Sequence, residues 1–340
     1  MHNNKGDKYE RYRRMVKCQK SFYSDNQNKG TCMKLSRTFA LADIVLRAHI
    51  LNPLWWSRDK RREHRCNVAA TAIPRYMARY VPAAGTVPEV RPVHNDKREK
   101  IWTLWLQGED KAPELVKACF RSIRANCKQE LVVLDENTIW DYITLPPEIV
   151  AKRKAGQIKH AHFADICRVE LLYEHGGIWL DSTGFATAPI PDEIINQDFF
   201  VYMAGNMVGS AYSFIQNCFI RARKGSYLLA AWRQMILNFW TREPREFDYF
   251  MHQLMFKSLV EHDPVAKKYF DAMPHIDQAP THALWWSVAN EPYTKKLFKE
   301  YTSGAFFQKT TYNSPWAKNP IPGSIADEMI NHMYKTKTKK

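Results

Sequence analysis

The chain has 340 residues, of which 45% are hydrophobic and 13% aromatic. This excludes a disordered protein, because such a chain can bury a large apolar core. The 50 Lys and Arg against 35 Asp and Glu give a net charge of +15, but the excess lies at the two ends. Residues 1–100 hold 22 Lys or Arg and 9 Asp or Glu, and the last ten residues hold four Lys and no acid. Since the part between is slightly acidic, we expect no nucleic-acid groove along the fold and no nucleic-acid partner.

Three features of the sequence bear on its location. No run of about 18 uncharged apolar residues occurs, so no bilayer-spanning helix is predicted. The basic start lacks the apolar core of a secretory signal. The seven cysteines form no CxxC pair, which favours a reducing compartment over a disulfide framework or a zinc site. We therefore expect a cytoplasmic protein. The alternative is a peripheral protein on the inner face of the membrane.

Charge and patterning divide the chain into three predicted parts. These are a basic, mostly helical extension at residues 1–95, a domain at residues 96–330 and a basic tail at residues 331–340. Residues 38–56 have apolar side chains at helical spacing and end in two tryptophans beside a cationic run. One interpretation is a helix at a membrane interface, with the cations on anionic lipid. The other is a helix packed on the main domain with a solvated basic face.

Strands and helices alternate after a proline-rich linker at residues 82–92. The predicted elements are, in order, a strand at 100–106, a helix at 113–127, a strand at 130–135, a helical segment at 137–143, a helix at 158–175 and a strand at 178–181. Gly176 and Gly177 end the last helix, because glycine accepts a positive φ without a Cβ clash. This alternation predicts an α/β fold with a parallel sheet and crossover helices.

Candidate ligand-binding residues lie at the carboxyl ends of these predicted strands. Asp181 ends the third strand and Gln107 follows the first, and ligands of open α/β sheets bind outside the carboxyl ends of the strands. Asp165 and Arg168 are three residues apart on the preceding helix and share one face. Such a pair is often a surface ion pair. Here, however, the helix leads into the strand that ends at Asp181, and carboxylate and guanidinium groups in fixed geometry suit a hydroxyl-rich ligand.

The run at residues 161–183, AHFADICRVELLYEHGGIWLDST, resembles the core motif of the capsular polysaccharide synthesis glycosyltransferases, which are relatives of the DXD-motif sugar transferases. Residues 102–108, 217–220 and 247–252 are similar to further pieces of that family. The resemblance implies a GT-A type fold, which is a Rossmann-like mixed sheet flanked by helices. It also implies a hexosyltransferase that moves a sugar from a nucleotide-diphosphate sugar to a hydroxyl of a growing, lipid-linked surface polysaccharide, with retention at the anomeric carbon.

The resemblance implies roles for individual residues. Asp165, Arg168 and Asp181 would be catalytic, the first two holding hydroxyls of the donor sugar and Asp181 acting as the first acid of a DXD-like motif. Seven further residues are candidates for donor binding: Trp105, Gln107, Gly177, Ser182, Thr183, Asn217 and Lys309. Trp105 and Gln107 are expected to contact the base or the ribose. For Lys309 the two interpretations are a diphosphate contact and a solvated lysine.

The resemblance also implies a divalent cation, Mn²⁺ or Mg²⁺, that stabilises the departing diphosphate. The sequence departs from the motif at the second acid, because Thr183 stands there and its hydroxyl is a poor cation ligand. One carboxylate plus phosphate oxygens can suffice for such a cation. Asp181 is therefore the first expected metal ligand, and His282 is a candidate for the second, with a packing role as its alternative.

Asp248 and His252 are four residues apart on a predicted helix. On one helix face they would meet the donor or the acceptor. A surface pair at i,i+4 spacing is the alternative.

The sequence leaves two other classes of function open. One is a non-enzymatic basic adaptor for anionic lipid or nucleic acid, and the other is a metal-dependent hydrolase of a nucleotide sugar. The near-neutral central part favours the transferase over the adaptor. The transferase is expected to bind a nucleotide-diphosphate sugar, an oligosaccharide or lipid-linked glycan acceptor and, through its basic ends, an anionic membrane surface.

Overall fold

The computed structural model describes residues 55–90, 99–205, 213–246 and 248–335, together with the isolated positions 42 and 46 and only the backbone of Trp286. The chain divides into two units, Met1–Asn52 and Pro53–Lys340. All four described ranges belong to the second unit. The predicted helix at residues 38–56 therefore lies almost wholly outside the described residues.

A five-stranded mixed sheet forms the centre of the second unit. The strands are β1 (Lys100–Leu104), β2 (Glu130–Leu134), β3 (Gly177–Leu180), β4 (Gly184–Ala186), β5 (Phe199–Met203), β6 (Ile215–Ala222) and β7 (Phe307–Lys309). The main sheet has the order β2-β1-β3-β6-β5, and β4 pairs with β7 in a separate small sheet. Strands β1, β2 and β3 are parallel, whereas β6 runs antiparallel to β3 and β5. The parallel strands thus end at the edge where β6 begins.

Helices flank this sheet. They are α1 (Arg58–Met77), α2 (Glu114–Asn126), α3 (Pro147–Lys154), α4 (His160–His175), α5 (Asp192–Ile195), α6 (Tyr227–Arg242), α7 (Met251–His262), α8 (Pro264–Ala272), α9 (Ala283–Ser287), α10 (Lys295–Thr302), α11 (Pro315–Lys318) and α12 (Ile325–Asp327). The predicted alternation of strands and helices between residues 100 and 181 is confirmed. The helical segment predicted at 137–143 is a short 3₁₀ helix, Thr138–Asp141.

Gly176 and Gly177 end α4 and start β3 in left-handed backbone conformations, with φ angles of 67° and 102°. A Cβ atom at Gly177 would lie 2.6 Å from the carbonyl oxygen of Lys100. Glycine is required here because β3 pairs with β1 immediately after the turn. This confirms the helix end predicted from the sequence.

Helix α1 packs on α7 through polar contacts as well as apolar ones. Pro74 lies inside α1 and has no N–H, so the carbonyl of Ala70 one turn earlier lacks its helical donor. Lys257 Nζ donates to that carbonyl at 2.6 Å, and Ser258 Oγ donates to the Pro74 carbonyl at 2.7 Å. Helix α1 belongs to the same compact unit as the sheet.

Two further sequence-based expectations concern the whole chain. Within the described ranges, no helix combines the length and the apolar character needed to cross a bilayer. The cysteines in those ranges, Cys66, Cys119, Cys127, Cys167 and Cys218, are all free thiols.

Candidate functional site

Polar side chains from separate elements meet at the carboxyl edge of the central sheet. Asp181 follows β3, and its N–H donates to the Cys218 carbonyl of β6 at 2.8 Å. This pairing sets Asn217, near the start of β6, close to Asp181. Helix α4 ends where β3 starts and runs antiparallel to it, so the beginning of α4 lies at the edge where β3 ends. This part of the helix contributes Asp165 and Arg168. Both of these side chains are buried.

The Arg168 guanidinium contacts four polar partners, one of which is the Ala164 carbonyl, to which Nε donates at 3.3 Å. Its Nη2 atom lies 3.2 Å from Asp165 Oδ1 and 3.5 Å from Asp181 Oδ1, and Nη1 donates to the Asn217 carbonyl at 2.6 Å. The guanidinium carbon lies 5.1 Å from the centroid of the Trp179 ring, which is a cation–π distance. The interpretation of Asp165 and Arg168 as a surface ion pair is wrong, because both are buried and Arg168 joins two carboxylates.

Lys309 enters the same crevice from a distant part of the chain. In the small sheet Lys309 lies opposite Gly184, and the N–H of Thr310 donates to the Thr183 carbonyl at 2.8 Å. This pairing puts Lys309 Nζ 2.9 Å from Asp181 Oδ2, and Nζ also donates to the Thr183 hydroxyl. The interpretation of Lys309 as a solvated lysine is wrong, since its side chain is only 22% exposed.

Burial would raise the pKa values of the two carboxylates, but the cations reverse this effect. For Asp165 burial is the largest single effect, but the Arg168 guanidinium and the His252 and His162 rings together outweigh it and lower the pKa to about 2. For Asp181 the cations Lys309 and Arg168 outweigh burial and hold the pKa below its usual value. Burial would lower the pKa of Lys309, but Asp181 raises it above the ordinary value. Two carboxylates and two cations are therefore charged together, which suits an anionic ligand with many hydroxyl groups.

The side-chain amide of Asn217 fixes Asp165. Its Nδ2 atom donates to Asp165 Oδ1 and to His252 Nδ1, each at 3.0 Å, and its Oδ1 atom accepts from Gln253 Nε2 at 3.0 Å. The other oxygen of Asp165, Oδ2, lies 3.3 Å from His162 Nδ1. Both amide hydrogens of Asn217 are engaged, so its orientation and that of the carboxylate are set together.

His252 is a neutral member of this network. Because its Nδ1 accepts the bond from Asn217, the ring hydrogen lies on Nε2. Burial lowers the pKa of His252 to about 3, and the ring stacks on Trp232 with centroids 4.3 Å apart. Nε2 is buried and has no hydrogen-bond partner among the described residues.

Asp248 and His252 do not share a helix face, so that prediction is wrong, and the surface pair given as its alternative is wrong as well. Helix α7 begins at Met251. Asp248 lies in the turn before it, where its Oδ1 atom accepts the N–H of Phe250 at 2.7 Å. Burial raises the pKa of Asp248. An Asp a few residues ahead of an apolar helix is typical of such a turn, and this signal was available in the sequence.

The segment after β1 brings an aromatic pair to the same edge. The ring of Trp105 meets Tyr312 edge to face, with centroids 5.2 Å apart. Its Nε1 donor is buried and has no partner within the described part of the chain. Gln107 is exposed. The sequence analysis did not identify Tyr312 as a site residue. Its position three residues after the candidate Lys309 is the sequence feature that could have pointed to it.

Of the remaining candidates, Gly177 lies away from this crevice, whereas His282 is close enough to Lys309 for that cation to help lower its pKa. Gly177 starts β3, four residues before Asp181, and is thus about 13 Å away along the strand. His282 is buried, with its Nδ1 atom 2.8 Å from Thr281 Oγ1, and burial lowers its pKa to about 4. Ser182 follows Asp181 and is half-buried at the crevice. In the described ranges, no three His, Cys, Asp or Glu side chains form a group that could hold a metal ion.

A cavity of about 750 Å³ opens at the same sheet edge, between the segment after β2 and the start of α4. Its lining includes aromatic, apolar and cationic side chains, among them Trp140, Ile143, Leu145, Arg153, Lys154 and His160. Glu136, which also lines it, donates its N–H to the Leu106 carbonyl at 3.2 Å and so joins the cavity wall to the segment after β1. The cavity was not predicted from the sequence.

The fold and the site define a mixed α/β protein whose sheet is compatible with a Rossmann-like arrangement and whose crevice suits an anionic, hydroxyl-rich ligand. The family model described as capsular polysaccharide synthesis protein matches residues 56–331, which is most of the chain. The chain therefore belongs to this family, and the predicted membership is confirmed. The match begins just before α1 and indicates a role in capsule biosynthesis. No curated protein and no solved structure matches the chain.

Proposed function

We propose that this protein is a GT-A type glycosyltransferase that moves a sugar from a nucleotide-diphosphate donor to a hydroxyl of a growing capsular polysaccharide, with retention at the anomeric carbon. The proposal rests on the cluster of the buried Asp165 and Arg168 with the half-buried Asp181 and Lys309 at the carboxyl edge of the sheet. Holding four charges in such a partly desolvated cluster for stability alone is unfavourable, because apolar side chains of similar volume would serve as well. A ligand that needs both cations and carboxylates accounts for the cluster.

In the proposed reaction the donor's diphosphate lies against Arg168 and Lys309, and its sugar hydroxyls contact Asp165 and Asp181. The bond between the anomeric carbon and the diphosphate oxygen breaks, and its electron pair leaves with that oxygen. Fixed cations stabilise the charge that develops there. The acceptor oxygen bonds to the anomeric carbon from the same side, and its proton passes to the departing diphosphate. The products are a nucleoside diphosphate and a glycan longer by one sugar.

The protonation states of the two carboxylates support retention. An inverting transfer needs a general base for the acceptor's proton. Asp165, whose pKa is about 2, and Asp181, whose pKa is lowered, are weak bases. Proton NMR of the product tests this directly. An inverted anomer would overturn retention.

We propose that the nucleoside lies at the end of β1. The aromatic pair of Trp105 and Tyr312 offers a surface on which a base or ribose can pack. The buried Nε1 donor of Trp105 and the exposed amide of Gln107 supply hydrogen bonds. A Trp105→Phe variant, which removes only this N–H and the second ring, is expected to raise KM for the donor more than it lowers kcat.

We also propose that the acceptor is lipid-linked and that the protein binds the cytoplasmic face of an anionic membrane. The start of α1 supports this, because Trp55 is 85% exposed and is followed by the exposed cations Arg58, Lys60, Arg62 and Arg65. Tryptophan is favoured at headgroup depth, and cations near the surface are attracted to anionic lipid.

Flotation with vesicles tests the membrane part of the proposal. The full chain is expected to float with phosphatidylcholine vesicles that contain phosphatidylglycerol and not with phosphatidylcholine alone. A variant with Trp55→Ser, Arg58→Glu and Arg62→Glu is expected to remain in the dense fraction. Replacing Lys295 and Lys299, exposed on α10, by Glu is the matched control for lost positive charge. Equal flotation of all three proteins would overturn membrane binding through α1.

A donor assay tests the transferase itself. Purified protein is incubated with UDP-, GDP- and dTDP-linked hexoses, with and without capsular oligosaccharide, and released nucleoside diphosphate is measured. We expect release to depend on the acceptor and to be lost in Asp181→Asn. The exposed Asp110→Asn is the matched control and should retain activity. Acceptor-independent release at the full rate would indicate the hydrolase, and no release with any donor would overturn the transferase.

A further inference from the structure

The Lys309 ammonium lies at the position that the DXD-like motif offers to a cation. Asp181 is the first acid of that motif, and Thr183 stands where the second acid is expected. Lys309 Nζ lies 2.9 Å from Asp181 Oδ2 and donates to Thr183 Oγ1. One positive group therefore contacts both motif side chains at once.

The oxygen ligands around this point do not fit a divalent cation. Asp181 Oδ1 accepts the indole N–H of Trp179 at 2.8 Å and lies 3.5 Å from Arg168 Nη2, while Oδ2 is taken by Lys309. Asp181 thus has two cationic neighbours already. Mg²⁺ and Mn²⁺ take carboxylate, carbonyl and water oxygens, and a second carboxylate is lacking because Thr183 replaces it.

Lys309 is held in this position by backbone pairing. Lys309 lies opposite Gly184 in the two-stranded sheet of β4 and β7. Both the N–H and the hydroxyl of Thr310 donate to the Thr183 carbonyl at 2.8 Å. The strand register therefore fixes the backbone of Lys309 beside the motif. The position of its ammonium group is set by this pairing and not by a lysine that moves freely on an open surface.

We infer that the Lys309 ammonium replaces the divalent cation of this site, so that the protein binds the diphosphate of its donor without a metal. An ammonium has three N–H donors, of which two serve Asp181 and Thr183, and the third is left for a diphosphate oxygen. Arg168 supplies the second positive charge beside Asp181. When the sugar leaves, these two cations neutralise the diphosphate oxygen that receives the electron pair.

This inference rests on the proposed donor class, and a binding experiment separates the two. Wild-type protein is titrated with UDP, GDP, ADP, CDP and dTDP by calorimetry, in excess EDTA and again in Mn²⁺ or Mg²⁺. We expect at least one nucleoside diphosphate to bind with dissociation constants that agree within about twofold between the two conditions. Binding that requires the metal would overturn the inference and leave the proposed function standing. The absence of any binding, with or without metal, would overturn the donor class and the inference together.

Variants of Lys309 test its part directly. In EDTA, Lys309→Met is expected to weaken binding about 10- to 100-fold, since a hydrogen bond to a charged group is lost. Lys309→Arg keeps the charge and should bind more tightly than Lys309→Met. The exposed Lys299→Met is the matched control. Unchanged affinity in Lys309→Met, or recovery of its affinity by Mn²⁺, would overturn the inference. The metal comparison on wild-type protein decides the question even if a variant does not fold.

Discussion

Lys309 Nζ and Asp181 Oδ2 lie 2.9 Å apart, although 128 residues separate them in the chain. Each group stabilises the charge of the other: Lys309 holds the pKa of Asp181 down, and Asp181 holds the pKa of Lys309 up, in both cases against burial. The pair therefore stabilises the fold and, in the proposed function, also binds the donor. The two contributions can be separated by mutation.

A double-mutant cycle on this pair is the first prediction. Asp181→Asn leaves Lys309 without a carboxylate, while Arg168 keeps Asp165, and is expected to lower the free energy of unfolding by about 2 kcal/mol. Lys309→Met is expected to cost less, since Asp181 retains Arg168. The double variant should regain about 1 kcal/mol or more relative to the sum of the single changes. Its transferase activity should stay lost, because both charges are needed for the donor. Urea unfolding and the donor assay give the two readouts.

Additive losses of stability in that cycle would show that the two groups are not energetically coupled. Recovery of activity in the double variant would show that neither charge serves the donor. The exposed Asp110→Asn is the control for removal of a carboxylate at the same edge of the sheet.

Arg168→Lys is the second prediction, because it preserves the charge and changes only the geometry. A single ammonium cannot reproduce the contacts of the guanidinium with Asp165, Asp181 and the Asn217 carbonyl. We expect kcat/KM to fall about 100-fold, which corresponds to about 2.7 kcal/mol of transition-state stabilisation. Steady-state kinetics with the donor that the assay selects provides the measurement.

The matched control for Arg168 is Arg124→Lys. Arg124 pairs with Glu109 through two hydrogen bonds on the surface, and such pairs contribute little to stability. Its kinetic constants should stay within about twofold of the wild-type values. An equal effect of the two substitutions would mean that the Arg168 geometry has no special role.

The third prediction concerns Asn217, whose two amide hydrogens join Asp165 to His252. Asn217→Asp keeps the shape but places a carboxylate 3.0 Å from the Asp165 carboxylate, where like charges repel. We expect a lower melting temperature, a strong loss of activity, and partial recovery of both at acid pH, where one of the two carboxyl groups takes a proton. Asn217→Ala removes the contacts without the repulsion and should lack the acid recovery. Equal pH profiles for the two variants would contradict this account.

Local patterns in the sequence predicted the fold well between residues 100 and 181, because strand and helix periodicity and the glycines at 176 and 177 are short-range signals. They also predicted that Asp165, Arg168 and Asp181 share one crevice, since that follows from helix spacing and from where parallel strands end. The contact of Lys309 with Asp181 and Thr183 was out of reach, because it depends on the register between β4 and β7.

The helix face assigned to Asp248 and His252 failed for a different reason. In the sequence the helical spacing of apolar residues runs from α7 back past Asp248. In the structure a turn at Asp248 ends this pattern, so the helix begins only at Met251. Helix boundaries are set by such local hydrogen bonds, which compete with the periodic signal. The buried position of His252 beside Asn217 then depends on how α7 packs on β6, which is tertiary information.

The last prediction is the dependence of stability on pH. Burial lowers the pKa of His252 to about 3 and that of His282 to about 4, whereas an unfolded histidine titrates near 6.5. The unfolded chain therefore binds protons that the folded chain does not, so the stabilisation is complete above pH 6.5 and is lost as the pH falls toward the folded values. At pH 5 each histidine lowers the free energy of unfolding by about 2 kcal/mol relative to neutral pH.

Urea unfolding between pH 7 and pH 5 should show this loss of stability. His252→Gln should reduce the slope of unfolding free energy against pH by about half. His332→Gln, whose native side chain is 58% exposed, should leave the slope unchanged. An unaltered slope in His252→Gln would mean that the folded protein accepts a charged imidazole at this position.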